Sequence, residues 1–314
     1  MATKQQNTTY GIGHAGGDAN AAAQAGGSAA AASRQDEPII SLEDVRYVYA
    51  GAQEPALDGV TLAVRPGECL ALLGANGCGK STLLMHMNAL LSPSAGRVVF
   101  CVGGKRLDSA NKRDLMEIRR ACSMVFQNPD EQTVASTAGQ DIAFGPQNLG
   151  LSQEEVYSRV EESLAKVGLA GFEDRLVFEL SRGQRQRVAI AGALAMHPAV
   201  LLCDEPTAML DAPGRRDVMA LLQQVRAAGT AVVLVTHDMQ EALAADRIVV
   251  MEAGRIALEG TCRQVFAREH APRLQQMGLE LPPAACYALS AGLEGDLPLT
   301  VEELVAAVKD GRCG

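Results

Sequence analysis

The run Gly74-Ala75-Asn76-Gly77-Cys78-Gly79-Lys80-Ser81-Thr82 has the spacing G-x-x-x-x-G-K-[ST]. Glycines so placed let backbone N–H groups turn toward one anion, and a helix opening at the lysine adds its partial positive end. Lys80 would reach the β- and γ-phosphates of a nucleotide, and Ser81 would ligate Mg²⁺. Gly74, Asn76, Gly77, Cys78, Gly79, Lys80, Ser81 and Thr82 are therefore the candidate nucleotide-binding residues. Downstream, Val200-Leu201-Leu202-Cys203-Asp204-Glu205 ends an apolar run in two acids. Asp204 would hold Mg²⁺, directly or through water. Glu205 would accept a proton from an attacking water, or orient that water. Two acids closing a strand are ordinary by themselves; the phosphate loop upstream gives them a substrate.

These groups need elements to place them. Residues 69–73 form a short apolar run, read as a buried strand that delivers the loop. Residues 80–91 lack Gly and Pro and carry Leu83, Leu84, Met87, Leu90 and Leu91 at helical spacing, which predicts a helix. Residues 39–49 and 60–64, split by a turn near Gly51, and 96–102 read as an antiparallel flank. Residues 138–177 have a helical texture, with Ser152-Gln153-Glu154-Glu155 as a capping box before Val156, Val160, Leu164 and Val167. Continuous apolar runs at 199–204 and 231–236 suit parallel strands covered on both faces. A helix over 213–228, closed by Gly229, lies between them, and 247–251 with 255–259 reads as a hairpin. The fold class is α/β, with a mainly parallel core sheet, an antiparallel β flank, a helical insert and a small C-terminal extension.

Bulk properties narrow the partners. The 314 residues carry a net charge of -9, which argues against non-specific nucleic-acid binding. The eight cysteines form no C-x-x-C pair; Cys69, Cys101 and Cys203 read as small core residues in a reducing cytosol. No signal peptide or transmembrane segment is legible, so membrane association would come through partners. Residues 1–37, rich in Ala, Gly, Gln, Asn and Ser, read as a disordered tail. The main domain is expected over 38–267, with a helical subdomain over about 138–197. Residues 268–314 would form an extension too short for its own core, with Thr300-Val301-Glu302-Glu303 capping a last helix.

Three further motifs sit at element ends: Gln127 in Val125-Phe126-Gln127-Asn128-Pro129, Leu180-Ser181-Arg182-Gly183-Gln184 before a long helix, and His237 in Thr236-His237-Asp238. Each alone is ordinary. In this order, over about 39–265, they resemble an ATP-binding cassette (ABC) ATPase, a P-loop NTPase fold. The resemblance implies that Tyr49 stacks on adenine and that Gln127 senses Mg²⁺, water and the transmembrane partner. It implies that Ser181, Arg182, Gly183 and Gln184 act in trans on the γ-phosphate held by a second subunit. Asp211 would cross the dimer interface, and His237 would be the switch near the γ-phosphate. Glu205, His237 and Gln127 are thus the expected catalytic group, and Ser81, Gln127 and Asp204 the expected Mg²⁺ set.

The chain is similar, more closely, to ATPases of energy-coupling factor (ECF) vitamin and metal-ion transporters. Phe126-Gln127-Asn128-Pro129-Asp130-Glu131-Gln132, Asp141-Ile142-Ala143-Phe144-Gly145-Pro146-Gln147-Asn148-Leu149-Gly150, Pro206-Thr207-Ala208-Met209-Leu210-Asp211 and Leu299-Thr300-Val301-Glu302-Glu303-Leu304-Val305 carry that likeness. The Asn-Pro-Asp form resembles the first of the two paralogous ATPase types. The likeness implies a second ABC ATPase, in a homo- or heterodimer, with a transmembrane coupling protein and a substrate-binding membrane protein. It also implies a peripheral place on the cytoplasmic face of the cell membrane, and an extension that supports the dimer. The signature departs from Leu-Ser-Gly-Gly-Gln, since Arg182 replaces the first Gly. Conventional importer ATPases, soluble non-transport cassettes and a low-turnover regulatory subunit are the rival functions. The intact Lys80, Asp204, Glu205 and His237 oppose the last.

Overall fold

The computed structural model describes residues 37–309, so the expected low-complexity tail lies, but for Glu37, outside the described residues. The strands are β1 (Ile40–Tyr47), β2 (Leu57–Val64), β3 (Cys69–Gly74), β4 (Ala95–Val102), β5 (Lys105–Asp108), β6 (Cys122–Val125), β7 (Val200–Asp204), β8 (Ala231–Val235), β9 (Arg247–Glu252) and β10 (Arg255–Gly260). The first helices are α1 (Lys80–Met87), α2 (Leu115–Ala121), α3 (Pro129–Gln132), α4 (Ala138–Asn148), α5 (Gln153–Lys166) and α6 (Arg182–Leu194). They are followed by α7 (Ala212–Ala227), α8 (Met239–Leu243), α9 (Cys262–Val265), α10 (Ala271–Gln276), α11 (Pro283–Ser290) and α12 (Val301–Lys309).

The strands form two sheets. The core sheet has the order β10-β9-β3-β8-β7-β6, parallel from β9 to β6, with β10 antiparallel at one edge. The flank, β2-β1-β4-β5, is antiparallel. Alternation along β3 explains how both faces of the core sheet fill. Cys69, Ala71 and Leu73 join the apolar cluster of the helical side, whereas Leu70 and Leu72 join the cluster shared with the flank and α1. Arg247 ties the sheets together. It donates to Glu68 Oε1 at 2.7 Å and to the Ala63 carbonyl at 2.5 Å, and it also pairs with Glu259.

Register sets the chemistry. In the parallel ladder Leu72 of β3 faces Val235 of β8, Val235 faces Asp204 of β7, and Cys203 faces Val125 of β6. The segments that leave these strands carry the phosphate loop, His237, Glu205 and Gln127. All four therefore emerge side by side from the carboxyl edge of one sheet, where ligands of open α/β sheets bind.

Several expected boundaries move. The helix expected over 80–91 stops at Met87: Ala89 adopts φ +53°, and the Leu90 and Leu91 N–H groups both donate back to Met85 O. The first strand ends at Tyr47, so Tyr49 leaves the sheet, and the second begins at Leu57. The capping box at Ser152 is half made. Ser152 accepts the Glu155 N–H, but the Glu155 carboxylate turns to Arg159 at 2.9 Å. The C-terminal residues share the main core: Leu274, Leu281, Ala285 and Leu297 belong to the same apolar cluster as Leu73 and Leu201.

Candidate nucleotide site

The phosphate loop is built on two glycines whose positive φ and close contacts disfavour any side chain. Gly79 has φ +107°, and a Cβ there would stand 2.4 Å from the Ala56 carbonyl. Gly74 has φ +153°, and its Cβ would stand 2.5 Å from Cys78 Sγ. The close approach of Ala56, the residue just before β2, shows that the flank helps to mould the loop. Ala56 was not legible as a site residue, because its contribution is a backbone carbonyl. Lys80, only 6% exposed, donates from Nζ to the Gly74 and Ala75 carbonyls at 2.8 and 3.0 Å, which pins its ammonium across the loop.

One cleft of about 560 Å³ gathers most of the expected residues. Tyr49, Asn76, Gly77, Gly79, Lys80, Ser81, Thr82, Gln127, Glu205 and His237 all line it. The Tyr49 hydroxyl lies 3.1 Å from Thr82 Oγ1, and its ring meets Tyr47 edge-on at 4.9 Å. That contact stations the half-exposed Tyr49 ring at the cleft's rim. Cys78 and Gly74 are buried behind the loop.

Glu205 is the hub. His237 Nε2 lies 2.8 Å from its Oε1, and Gln127 Nε2 donates to its Oε2 at 3.0 Å. Each carboxylate oxygen thus has one nitrogen beside it and keeps acceptor capacity for a water. Glu205 itself has φ +47°, a left-handed conformation that costs a non-glycine residue about 1–3 kcal/mol. Its N–H donates to Val235 O at 3.0 Å, which ties the strained residue to β8. Next to it, Asp204 accepts a hydrogen bond from Ser81, while burial pushes its carboxyl above the usual carboxylate range. A hydroxyl and a carboxylate oxygen side by side are hard donors that suit Mg²⁺. With the Gln127 nitrogen engaged by Glu205, the Gln127 oxygen is the atom left with ligand capacity.

The signature is absent from the lining of that cleft. Ser181 and Gln184 close a full capping box on α6: Ser181 Oγ accepts the Gln184 N–H at 3.3 Å, and Gln184 Oε1 accepts the Ser181 N–H at 2.8 Å. Arg182 is exposed on the first turn. A Cβ on Gly183 would meet only Leu210 Cδ2 at 3.9 Å, an ordinary contact, so local packing does not demand glycine there. Asp211 caps α7, accepting the Gly214 N–H at 2.9 Å. Arg185 of α6 pairs with Asp130 at 2.8 Å, which joins the signature helix to the Gln127 segment.

Known proteins share this layout. Residues 57–208 match the ABC transporter family. The energy-coupling factor transporter ATP-binding protein EcfA1 of Symbiobacterium thermophilum is 50% identical over 284 residues, spanning 86% of this chain and 96% of that protein. The chain belongs to the ECF-type ABC ATPases. Its likeness to the first paralogous type holds, and like its family it is an ATP-hydrolysing transporter subunit. Among solved structures, cbiO1 of Clostridium perfringens, described as part of the ABC transporter complex cbiONQ, matches with a TM-score of 0.66 and 36% identity, covering 77% of this ECF ATPase and 98% of that chain. The cassette MJ0796, a dimer bound to ADP and Pi in a post-hydrolysis state, matches with a TM-score of 0.64 and 32% identity, covering 71% and 99%. No helix among the described residues is long and apolar enough to cross a membrane.

Proposed function

We propose that ATP lies in the Lys80 cleft and that Glu205 is the general base of its hydrolysis. The observation that carries this is the Glu205 carboxylate, held by His237 on one oxygen and Gln127 on the other. Lys80 binds the β- and γ-phosphates, and Tyr49 stacks on adenine. Glu205 takes the proton of the attacking water, while His237 orients the carboxylate. Mg²⁺, when bound, neutralises charge developing on the phosphates; Ser81, Asp204 and the Gln127 oxygen would hold it.

The γ-phosphate gains its remaining donors from Ser181 to Gln184 of a second cassette, and Asp211 lies at that interface. The dimeric state of MJ0796 supports this reading. Closure is favoured while the γ-phosphate bridges both subunits, and hydrolysis removes the bridge. The partners are a second ABC ATPase, a transmembrane coupling protein and a substrate-binding membrane protein that takes a vitamin or metal ion. The site of action is the cytoplasmic face of the membrane. A groove between α4 and α5, lined by Gln140, Ala143, Gln147 and Tyr157, is the proposed seat of the coupling protein's helices. Residues 268–309 would steady the dimer.

Glu205→Gln tests the centre of this reading. Turnover should fall about a hundredfold or more, with ATP retained in a closed dimer seen by size exclusion. Rapid hydrolysis by that variant would remove Glu205 from the base role. Copurification from native membranes in mild detergent tests the partners. Recovery with a second cassette and a coupling protein is expected, whereas a lone soluble species favours a non-transport cassette.

A further inference from the structure

Glu241 lies in α8, four residues past His237, and is 4% exposed. The Thr207 hydroxyl donates to its Oε1 at 2.5 Å, and the Thr236 hydroxyl donates to its Oε2 at 2.5 Å. Thr207 stands two residues after Glu205, and Thr236 immediately precedes His237. Both threonines are buried, and Thr236 Oγ1 also accepts the Asp238 N–H at 3.0 Å. One buried carboxylate therefore bridges the loop that carries Glu205 and the loop that carries His237.

The backbone leaves a gap for such a bridge. The β7–β8 ladder ends where Asp204 faces Val235, and the Glu205 N–H adds one more bond to Val235 O. Past that point no backbone hydrogen bond among the described residues joins the two loops. We infer that Glu241 is a positioning residue that fixes the two loops in register, so that His237 Nε2 stays on Glu205 Oε1 during turnover. It acquires this role only if Glu205 and His237 act as proposed above. A carboxylate buried from water is unfavourable unless hydrogen-bonded, and here both oxygens are satisfied from the two catalytic loops. Its neighbours Met239 and Ala242 are also buried, so packing alone would be served by an apolar side chain. Arg215 and Asp238, which also face Glu241, pair with each other at 3.1 Å.

The test uses the full chain, with its partners where turnover requires them, and compares Glu241→Ala, Glu241→Gln, Thr236→Val and Thr207→Val. Glu241→Ala should lower kcat about tenfold to a hundredfold, as small misplacements of reacting groups do. KM and the nucleotide Kd should stay within about twofold, because Lys80 and its loop are untouched. Glu241→Gln keeps an acceptor and adds a donor, so it should recover part of kcat. Thr236→Val should add little on top of Glu241→Ala, because both remove one shared contact. If Glu241→Ala does not fold, each threonine variant should still lower kcat at unchanged KM. Folded variants with wild-type kcat would overturn the inference, and so would losses in kcat matched by losses in nucleotide affinity. Glu205→Gln separates the two failures. If it turns over fully, the site assignment falls. If it is inactive beside a fully active Glu241→Ala, only the role of Glu241 falls.

Discussion

The two regions proposed to face the phosphates of ATP, one around Lys80 and one around Ser181, are organised in opposite ways. Around Lys80, the side chains meet one another: Gln127 and His237 at Glu205, Ser81 at Asp204, Tyr49 at Thr82. Around Ser181, the polar groups are closed into a helix cap, and Arg182 faces outward. The first region is assembled within one chain. The second is a capped helix start whose glycine has only an ordinary contact with Leu210. On the proposed function, one chain binds nucleotide and turnover is left to the meeting of two.

Substitutions at two glycines should separate the regions most sharply. Gly79→Ala would force a Cβ against the Ala56 carbonyl at positive φ, destabilising the chain by about 1–3 kcal/mol. It should lower Tm and weaken ATP binding together, as read by thermal melts and nucleotide titration. Gly183→Ala should do the reverse. Its stability should hold or rise, by up to about 1 kcal/mol of helix propensity, with Tm unchanged or slightly higher, and binding should persist while turnover drops. Lost nucleotide binding in Gly183→Ala would erase the distinction.

A smaller effect concerns acid. His86 is fully buried on α1, with Nδ1 2.8 Å from the Thr82 carbonyl oxygen, and burial holds its imidazole below the usual histidine range. A depressed pKa favours the neutral ring in the fold. Its stabilising contribution is present above the ordinary histidine pKa and is lost as pH falls through the depressed one. Stability should decline by up to about 1.4 kcal/mol per pH unit across that window. The decline should be shallower in His86→Leu, as followed by Tm against pH; an unchanged slope would assign acid sensitivity elsewhere. The smallest effect is expected at the signature. Arg182→Gly should raise turnover modestly or not at all, whereas a hundredfold gain would mark the natural site as crippled.

Much of the site was legible because its chemistry is local in sequence. The glycine spacing, the Asp204-Glu205 pair and the strand-end His237 each announce an element end. What escaped were relations across distance. Thr207 and Glu241 are 34 residues apart, and an acid in a short helix gives no hint that it joins two loops. The end of α1 escaped for another reason. Ala89, Leu90 and Leu91 fit the helical pattern, but the Asn88 amide turns onto Met124 Sδ at 3.4 Å and its Oδ1 accepts the Leu90 N–H, closing the helix with no Gly or Pro.

The shared core of the C-terminal residues has a mechanical consequence. Leu274, Leu281 and Ala285 are packed into the same interior as the strand that bears the phosphate loop. The extension is therefore a handle welded to the engine, not a tether hung from it. A load applied there would be borne by the core that holds β3, and a fluorescent label on α11 would report any motion of the cassette during the ATP cycle.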